Sequence, residues 1–539
     1  MSEDTDLTVE LVERSLDPET VGPFGERLDE QAEWLRTAIA DGRMNNPDFA
    51  VGLEMEVYAV TDGDTEGETE GKTDRKRNTA SDADGAEDPR LTRLPEDLFE
   101  TAAANKELGL HNVEINTDPS VLSETGLAAQ ADEIAERTRK AASATRDHGC
   151  ELVLDAMWTL PPTDGAMAYL SATNERDGVV LAENMRQDPR YVAIDNHALR
   201  HNGGGPISLS VPGADIEFPT ILFESLATSI QPHLQIPSAA EFPAYYNAAI
   251  RTLGPVLALS ANSPFLPAEL YDDVDDPEAL IAATPHELRI DAFEQSVNRT
   301  PNAKVRVPHD IETATDVVDR VLEDDRYAPF LREWIDGETE REGLADRVWE
   351  FDHKRGTYWR WLRCVIGGDC VDAANDERSL RIEYRPIPTQ PTVADVIGMQ
   401  ALVAGVLRGL IEADHPITAL PWSAAESSFY NAVENGLDAE LAWVAADGER
   451  TSDPNVIFGE LFDHARLGLE TAGVPADDID RYLSPIEERW RARTSPSTWK
   501  KARVRDALGG GADLAEAIAA MQREYIALSR GDDPFVSWL

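Results

Sequence analysis

The sequence predicts a mixed fold in which four alternating strands line a carboxylate-rich cup, with helices packed outside it. Two observations lead to this prediction. In each strand, apolar residues alternate with carboxylates, arginines or small polar groups, which places the functional groups on one face. Between the strands lie segments with the apolar period of amphipathic helices, and these can cover the outer face.

Residues 49–60 (FAVGLEMEVYAV) form the first of these strands. Glu54 and Glu56 project side by side from it, because side chains two residues apart on a strand point the same way. Their repulsion in a mostly apolar strand calls for a compensating cation, which a bound Mg²⁺ would supply. A solvent-facing strand of an acidic protein is the alternative interpretation.

A second strand is expected over residues 113–116, with Glu114 and Asn116 on one face. Glu107 precedes it, at the end of a helix or in the turn. A long amphipathic helix is predicted over residues 125–147. Each polar group of this strand could equally be an ordinary surface residue, since acidic residues are common throughout the chain.

The segment PISLSVPG predicts a third strand, with Ser208 and Ser210 on its polar side. Helices are predicted over residues 218–230 and 240–259. The second helix ends in the sequence ALSANSPF, a tight turn that can expose Asn262.

The fourth strand opens the segment LRIEYRPIPTQPTVAD. Arg381, Glu383 and Arg385 share one face, and two cations around a carboxylate suit the binding of phosphate and metal together. An edge strand with an incidental charge pattern is the alternative. The following prolines end the strand, and Thr392 caps a helix predicted over residues 393–412.

Four segments, taken in order along the chain, resemble a known family: GLEMEV, ALSANSPF, RIEYRPIPTQPTVAD and NAVENGLDAEL. Each is weak alone, and the ordered set is specific. They are similar to segments of the type 2 glutamate–cysteine ligases and related carboxylate–amine ligases of the glutamine synthetase superfamily. The resemblance covers residues 47–445.

This resemblance implies an α+β fold with an antiparallel sheet curled into a partial barrel and helices on its outside. It also implies a reaction in which ATP phosphorylates the side-chain carboxylate of glutamate. An amine, cysteine in the named enzymes, then attacks the acyl phosphate to give an amide, ADP and phosphate. Two or three Mg²⁺ ions would offset the charge of the phosphates.

The resemblance also assigns candidate site residues. The metal ligands implied are five carboxylates: Glu54, Glu56, Glu107, Glu114 and Glu383. Arg385 is expected on phosphate or on the substrate carboxylate, with Arg381 as a second candidate, and we expect Glu56 and Arg385 to be needed for catalysis. Asn262 and Arg289 are expected to line the amino-acid pocket.

One departure from the family pattern bears on function. The family has a His-Val-His-Val strand, and the matching stretch here is predicted to be the strand of Ser208 and Ser210. These hydroxyls can bond phosphate but are poor metal ligands. His197 and His201 lie upstream and could substitute. Two alternatives therefore stay open: a ligase with another amine acceptor, and a non-catalytic nucleotide- or metal-binding relative.

The composition describes a strongly acidic protein, with 49 lysines and arginines, 101 aspartates and glutamates, and a net charge of −52. This charge argues against binding to nucleic acid or to an anionic membrane. It suits solubility in concentrated salt. The three cysteines, Cys150, Cys364 and Cys370, are too few for a disulfide framework, and no signal peptide or membrane span is recognised. We expect a cytoplasmic enzyme acting on small molecules, and the sequence leaves a homo-oligomer open.

The chain divides into three predicted parts. Residues 1–46 form a polar, helical extension in which residues 7–12 fit a short strand, and residues 47–445 form the ligase domain. Within the domain, residues 61–94 are a disordered acidic insertion, because they contain few apolar residues. Residues 446–539 form a helical C-terminal extension.

Overall fold

The computed structural model describes residues 3–61, 88–101, 104–335, 343–368 and 378–539. Most of the predicted insertion at residues 61–94, and Cys370, lie outside these ranges. The strands are β1 Ala50–Thr61, β2 Asn105–Lys106, β3 Asn112–Asn116, β4 Ser120–Val121, β5 Cys150–Val153, β6 Thr173–Arg176, β7 Val179–Ala182, β8 Ile207–Val211, β9 Ala214–Phe218, β10 Ile230–Ile236, β11 Leu362–Ile366, β12 Leu380–Tyr384, β13 Trp443–Val444 and β14 Arg450–Thr451.

Helices make up most of the remainder. They are α1 Glu3–Leu16, α2 Val21–Ala40, α3 Leu98–Thr101, α4 Gly126–Arg146, α5 Ala166–Ser171, α6 Pro189–His201, α7 Phe242–Ser260, α8 Pro277–Ala283, α9 Leu288–Val297, α10 Asp316–Glu323, α11 Arg332–Ile335, α12 Leu344–Arg347, α13 Trp349–Arg355, α14 Val393–Glu412, α15 Trp422–Asn435, α16 Pro454–Thr471, α17 Ala476–Arg491, α18 Pro496–Gly509 and α19 Leu514–Ser529. Short 3₁₀ turns connect several of them, including Ile221–Leu226 before β10.

The central element is an eight-stranded antiparallel sheet with the order β11-β12-β10-β1-β3-β2, and β4 and β5 also pair with β1. It curls into a half-barrel with the helices outside, which confirms the predicted α+β class. Residues directly opposite each other in an antiparallel pair share a face. The register pairs Glu56 with Glu114, Glu54 with Gln231, and His233 with Glu383, so all six side chains lie on one face.

Helix α14 lies against the other side of the sheet, where it packs on β10 and is covered by α16 and α17. Glycines let α14 and α16 approach closely, since a Cβ at Gly405 or Gly409 would clash with the backbone of α16. Among the described residues, α14 is the one helix long and apolar enough to cross a membrane, and 83% of its apolar window is buried. Burial of this kind is typical of a core helix.

Two predicted elements are wrong. The possible short strand at residues 7–12 is part of α1, whose apolar residues pack against α6. The helix predicted over residues 218–230 is instead a 3₁₀ turn followed by β10. Pro232 disfavours a central strand in a sequence argument because it cannot donate a ladder hydrogen bond. In the structure it lies opposite Leu53, and its side chain faces the covered side of the sheet.

The C-terminal helices are joined to the core by buried polar contacts. Lys500 Nζ lies 2.5 Å from Asp155 Oδ1, and Gln522 donates to Asp155 Oδ2 at 2.7 Å and to the Tyr58 hydroxyl at 3.1 Å. Arg489 Nη2 lies 2.8 Å from Asp395 Oδ1, and both side chains are fully buried. Residues beyond 445 thus complete the packing around β1 and α14.

The buried carboxyl of Asp195, on α6, is expected to make the stability of the protein depend on pH. Its Oδ1 accepts the Ile221 amide at 2.9 Å, whereas Oδ2 is buried without a partner among the described residues. Burial raises the pKa of this carboxyl to about 7. Folding therefore favours the protonated form of Asp195. The stability that this protonated carboxyl contributes is fully present below about pH 4 and is lost as the pH rises towards 7.

We expect Asp195→Asn to be more stable than the parent protein at pH 8, by about 1–3 kcal/mol, because the amide cannot ionise. The gain should shrink towards pH 4. Thermal unfolding over this pH range measures it, with the exposed Asp215→Asn as control. An Asp195→Asn gain that is equal at both pH values would contradict the assignment.

Candidate active site

The sheet face collects its functional groups through strand register. Glu54 and Glu56 stand on β1, and Glu114 stands opposite Glu56 on β3. Glu107 comes from the short loop after β2, where its carboxylate accepts the Leu108 amide at 2.9 Å. The sequence-predicted carboxylates on three separate chain segments are thus brought to one place.

Glu56, Glu107 and Glu114 form a carboxylate triad, with one oxygen of each within 4.8 Å of the others. Burial raises the pKa of all three carboxyls. Neighbouring carboxylates raise it further for Glu107, to about 7, and for Glu114, well above its usual range. Three hard oxygen donors that repel one another match the chemistry of a divalent cation such as Mg²⁺.

Glu54, His233 and Glu383 form a second group, the acid–histidine group, also within 4.8 Å. His233 Nε2 lies 3.2 Å from Glu54 Oε1. Burial alone would raise the pKa of Glu383, but Arg363 and Arg385, each bonded to one of its oxygens, hold that pKa well below its usual range. Glu383 therefore stays charged, with lone pairs left for a metal.

Strand β10 is the part of the site that the sequence argument misses. Its Gln231, His233 and Gln235 lie on the functional face between β1 and β12. Gln231 donates to Glu56 Oε1 at 2.9 Å and accepts from Arg385 Nη1 at 2.7 Å. The signal was present in the sequence as IQPHLQI, in which polar and apolar residues alternate.

The strand assigned to Ser208 and Ser210 does not line the cup. It forms a separate hairpin with β9, and Ser210 is exposed, with its backbone bonded to Gln295. That assignment is wrong because the same alternation also fits a hairpin with one face exposed to solvent. His197 and His201 do not substitute either. They pack on Tyr327, and His197 contacts Ser15 of α1.

Asn262 and Arg289 are linked through Glu287, which accepts the Asn262 backbone amide at 2.8 Å and pairs with Arg289 Nε at 3.2 Å, but only Arg289 lines the cavity described next. Asn262 is fully buried, and its side chain donates to Thr389 O at 2.8 Å and to the Tyr525 hydroxyl at 2.9 Å, a structural role away from the cavity described next. Arg289 is buried at the face beside Glu56, where its guanidinium lies 5.4 Å from the Trp361 ring. Arg381 lies on the same face as Glu383, two residues along β12.

A small cavity opens next to Glu56. Its lining consists of Glu56, Glu224, Ala227, Thr228, Ser229, Arg289, Phe293, Trp361 and Arg385. Glu224 is a second residue that sequence reasoning misses, and its only signal is a single carboxylate in the apolar run TILFESLA. Burial, with Glu56 and Glu107 nearby, raises its pKa to about 8.

A larger cavity of about 380 Å³ lies beside the outer strands of the same sheet. Val348, Val365 and Ile366 give it apolar walls, and Arg355 and Arg381 supply cations. The size falls in the range of small-molecule sites, which is about 300–1,000 Å³.

The fold and this face of carboxylates and arginines define an ATP-dependent ligase that joins a carboxylate to an amine. The particular family follows from a family model. The model described as glutamate-cysteine ligase family 2 (GCS2) matches residues 50–527, and the chain belongs to this family. The match extends past residue 445, where the predicted ligase domain ends, into the C-terminal helices.

Three solved structures are similar at low sequence identity. Glutamate–cysteine ligase from Francisella tularensis, in complex with AMP, is 12% identical over 90% of each chain, with a TM-score of 0.47. A bifunctional glutathione synthetase from Pasteurella multocida is 12% identical over 90% of this chain and 53% of its own, with a TM-score of 0.45. The Pup ligase PafA, in complex with Pup, is 10% identical over 89% and 73%, with a TM-score of 0.37. No similar sequence was found among curated proteins.

Proposed function

We propose that the protein is a glutamate–cysteine ligase-type enzyme. ATP phosphorylates the side-chain carboxylate of glutamate, and the nitrogen of an amine then attacks the acyl carbon. The carbon–oxygen bond to phosphate breaks as the amide forms. The observation that carries the proposal is the convergence of the carboxylate triad, the acid–histidine group and two arginines on one sheet face.

The donor sets fit Mg²⁺. The carboxylate triad has three half-buried oxygen donors, and none of them is hydrogen-bonded to an arginine among the described residues. The acid–histidine group adds a second site. With one ion at each site, the two groups would hold two of the two or three predicted ions. When bound, Mg²⁺ would offset the negative charge of the phosphates.

The arginines suit the anionic partners of the reaction. Arg385 is held by Glu383 and Gln231 beside Glu56, where its planar guanidinium can orient a phosphate or the substrate carboxylate. Arg381 lines the larger cavity, whose apolar walls suit the adenine and ribose of ATP. The resemblance of the sequence to the family makes cysteine the leading acceptor. A homo-oligomer and a cytoplasmic location stay predictions.

His233 bears on the non-catalytic alternative. That alternative depends on the loss of the family's histidine strand to Ser208 and Ser210. His233, on β10, lies between Glu54 and Glu383, so the main argument for the non-catalytic alternative no longer applies. The ligase with a different amine acceptor remains as the second candidate, and the small cavity next to Glu56 is where the two would differ.

Phosphate release from ATP tests the proposal. The assay uses the purified full chain in high potassium chloride with Mg²⁺ and glutamate, and adds cysteine and then other amines one at a time. We expect release that depends on glutamate and rises with one amine. A folded protein that releases no phosphate with any pair would contradict the proposal.

Divalent-cation binding is expected to release protons. The pKa of Glu107, about 7, leaves this carboxyl partly protonated at pH 7, and the pKa of Glu114 is raised as well, so a cation must displace protons. The number of protons released on binding should therefore decrease as pH rises above about 7, and the affinity for Mg²⁺ should increase. Calorimetric titration with Mg²⁺ in two buffers of different ionisation enthalpy measures this.

The matched variants for this titration are Glu114→Gln and Glu136→Gln. Glu136 is an exposed glutamate of α4 that pairs only with Lys140. Glu114→Gln should bind Mg²⁺ weakly and release fewer protons, and Glu136→Gln should behave as the parent protein. Identical heats in both buffers at pH 7 would show that the triad does not bind the cation.

A further inference from the structure

One carboxylate in the small cavity is left without a counterion. Glu224 belongs to neither the carboxylate triad nor the acid–histidine group. No described residue forms an ion pair or hydrogen bond with its side chain, whereas Glu383, on the same sheet face, is bonded to two arginines. A half-buried carboxyl with no protein partner takes up its charged form at lower cost when a cationic ligand binds it.

The same cavity presents two cations, one of which keeps an unused donor. Arg289 and Arg385 both line it. Arg385 uses Nη1 for Glu383 and Gln231, and its Nε is buried without an acceptor among the residues described. Arg289 lies 4% exposed beside Glu56 and is already paired with the buried Glu287, whose Oε1 lies 3.2 Å from its Nε. The cavity thus combines one carboxyl that has no partner among the described residues with two guanidinium groups, of which Arg385 keeps an unused donor.

This charge arrangement matches an amino acid, which carries an ammonium and a carboxylate close together. We propose that Glu224 determines specificity by binding the ammonium group of an amino-acid substrate, while Arg289 or Arg385 binds its carboxylate. The proposal rests on the proposed ligase function and names the recognition group of its amino-acid pocket. A charge-assisted contact of this kind is among the stronger hydrogen bonds in proteins.

The aromatic wall of the cavity is fixed, so the ligand must fit it. Trp361 donates its indole N–H to Glu294 at 2.8 Å, and Tyr430 donates to the same oxygen at 2.8 Å. Phe293 packs edge-on against Trp361, with ring centroids 5.7 Å apart. The cavity measures about 20 Å³, so between fixed walls it admits only the charged end of a ligand.

The ammonium can come from glutamate or from the acceptor, and two measurements separate these sources. If it comes from glutamate, Glu224→Gln should raise the KM for glutamate about tenfold to a hundredfold. Preference for glutamate over glutarate, which lacks the amine, should then fall by the same factor. If it comes from the acceptor, only the acceptor's KM should rise. The KM for ATP should stay within about twofold in both cases.

Glu217→Gln, an exposed glutamate of β9, is the matched control and should change neither KM. Unchanged KM values for both amino acids in a folded Glu224→Gln protein would overturn the proposal. Calorimetric binding of glutamate and glutarate to the parent protein and to Glu224→Gln needs no turnover. It therefore tests ammonium recognition even if the ligase assay is silent.

Discussion

Replacing Glu56 with glutamine is expected to reduce amide formation by a factor on the order of a hundred to a thousand. Glu56 belongs to the carboxylate triad and also lines the small cavity, so it serves both the proposed metal site and the amino-acid site. The variant keeps the size of the side chain but removes its charge. Phosphate release with glutamate and the amine measures the loss.

The fold of Glu56→Gln should survive. Burial raises the pKa of Glu56, so a neutral side chain relieves repulsion within the triad. Without metal, we expect its melting temperature to equal or exceed that of the parent protein, and Mg²⁺ should raise it less. Glu151→Gln, at the β5 partner of the exposed Arg530, is the control and should keep full activity. Full activity in Glu56→Gln would mean that the β1 carboxylates are only structural.

Replacing Arg489 with methionine is expected to lower the free energy of unfolding by about 3–5 kcal/mol. The change leaves Asp395 buried without its cation, because both side chains are fully buried. It also removes a donor to Leu259 O at 3.1 Å and to Gln390 Oε1 at 2.7 Å. Denaturant unfolding in high salt measures the effect.

Arg491 provides the matched control on the same helix. Its side chain is 53% exposed and pairs with Glu487 and Glu488 at the surface. Arg491→Met should cost no more than about 1 kcal/mol, as solvent and salt screen such pairs. Equal losses in the two variants would show that burial of the Arg489 pair is unimportant.

The sequence was sufficient to predict those site residues that lie on strands with alternating polar and apolar residues. Glu54, Glu56, Glu114 and Glu383 stand on strands whose apolar residues mark the opposite face, and the register brings them together. Alternation fixes the face of a strand but not its partner. For this reason Ser208 and Ser210 were assigned to the cup, although β8 pairs only with β9.

Other features depend on contacts between distant residues and carry no local signal. His233 was hidden by Pro232, which is unusual in a central strand. Asn262 lies in a turn that fits the family motif, yet its amide is used by Tyr525, far away in the chain. Arg489 shows the same limit, because an arginine in an acidic helix is normally a surface residue.

The link between Tyr58 and Gln522 has a consequence for how the chain folds during synthesis. Strand β1 is synthesised early, but one of its neighbours in the sheet is β10. Gln522, which donates to the Tyr58 hydroxyl, lies still later, in α19. Strand β1 therefore completes its contacts only when nearly the whole polypeptide has left the ribosome. Pairing over such separations is slow, and the apolar face of β1 is exposed meanwhile. A fragment ending at residue 445 would also leave Asp155 without Lys500.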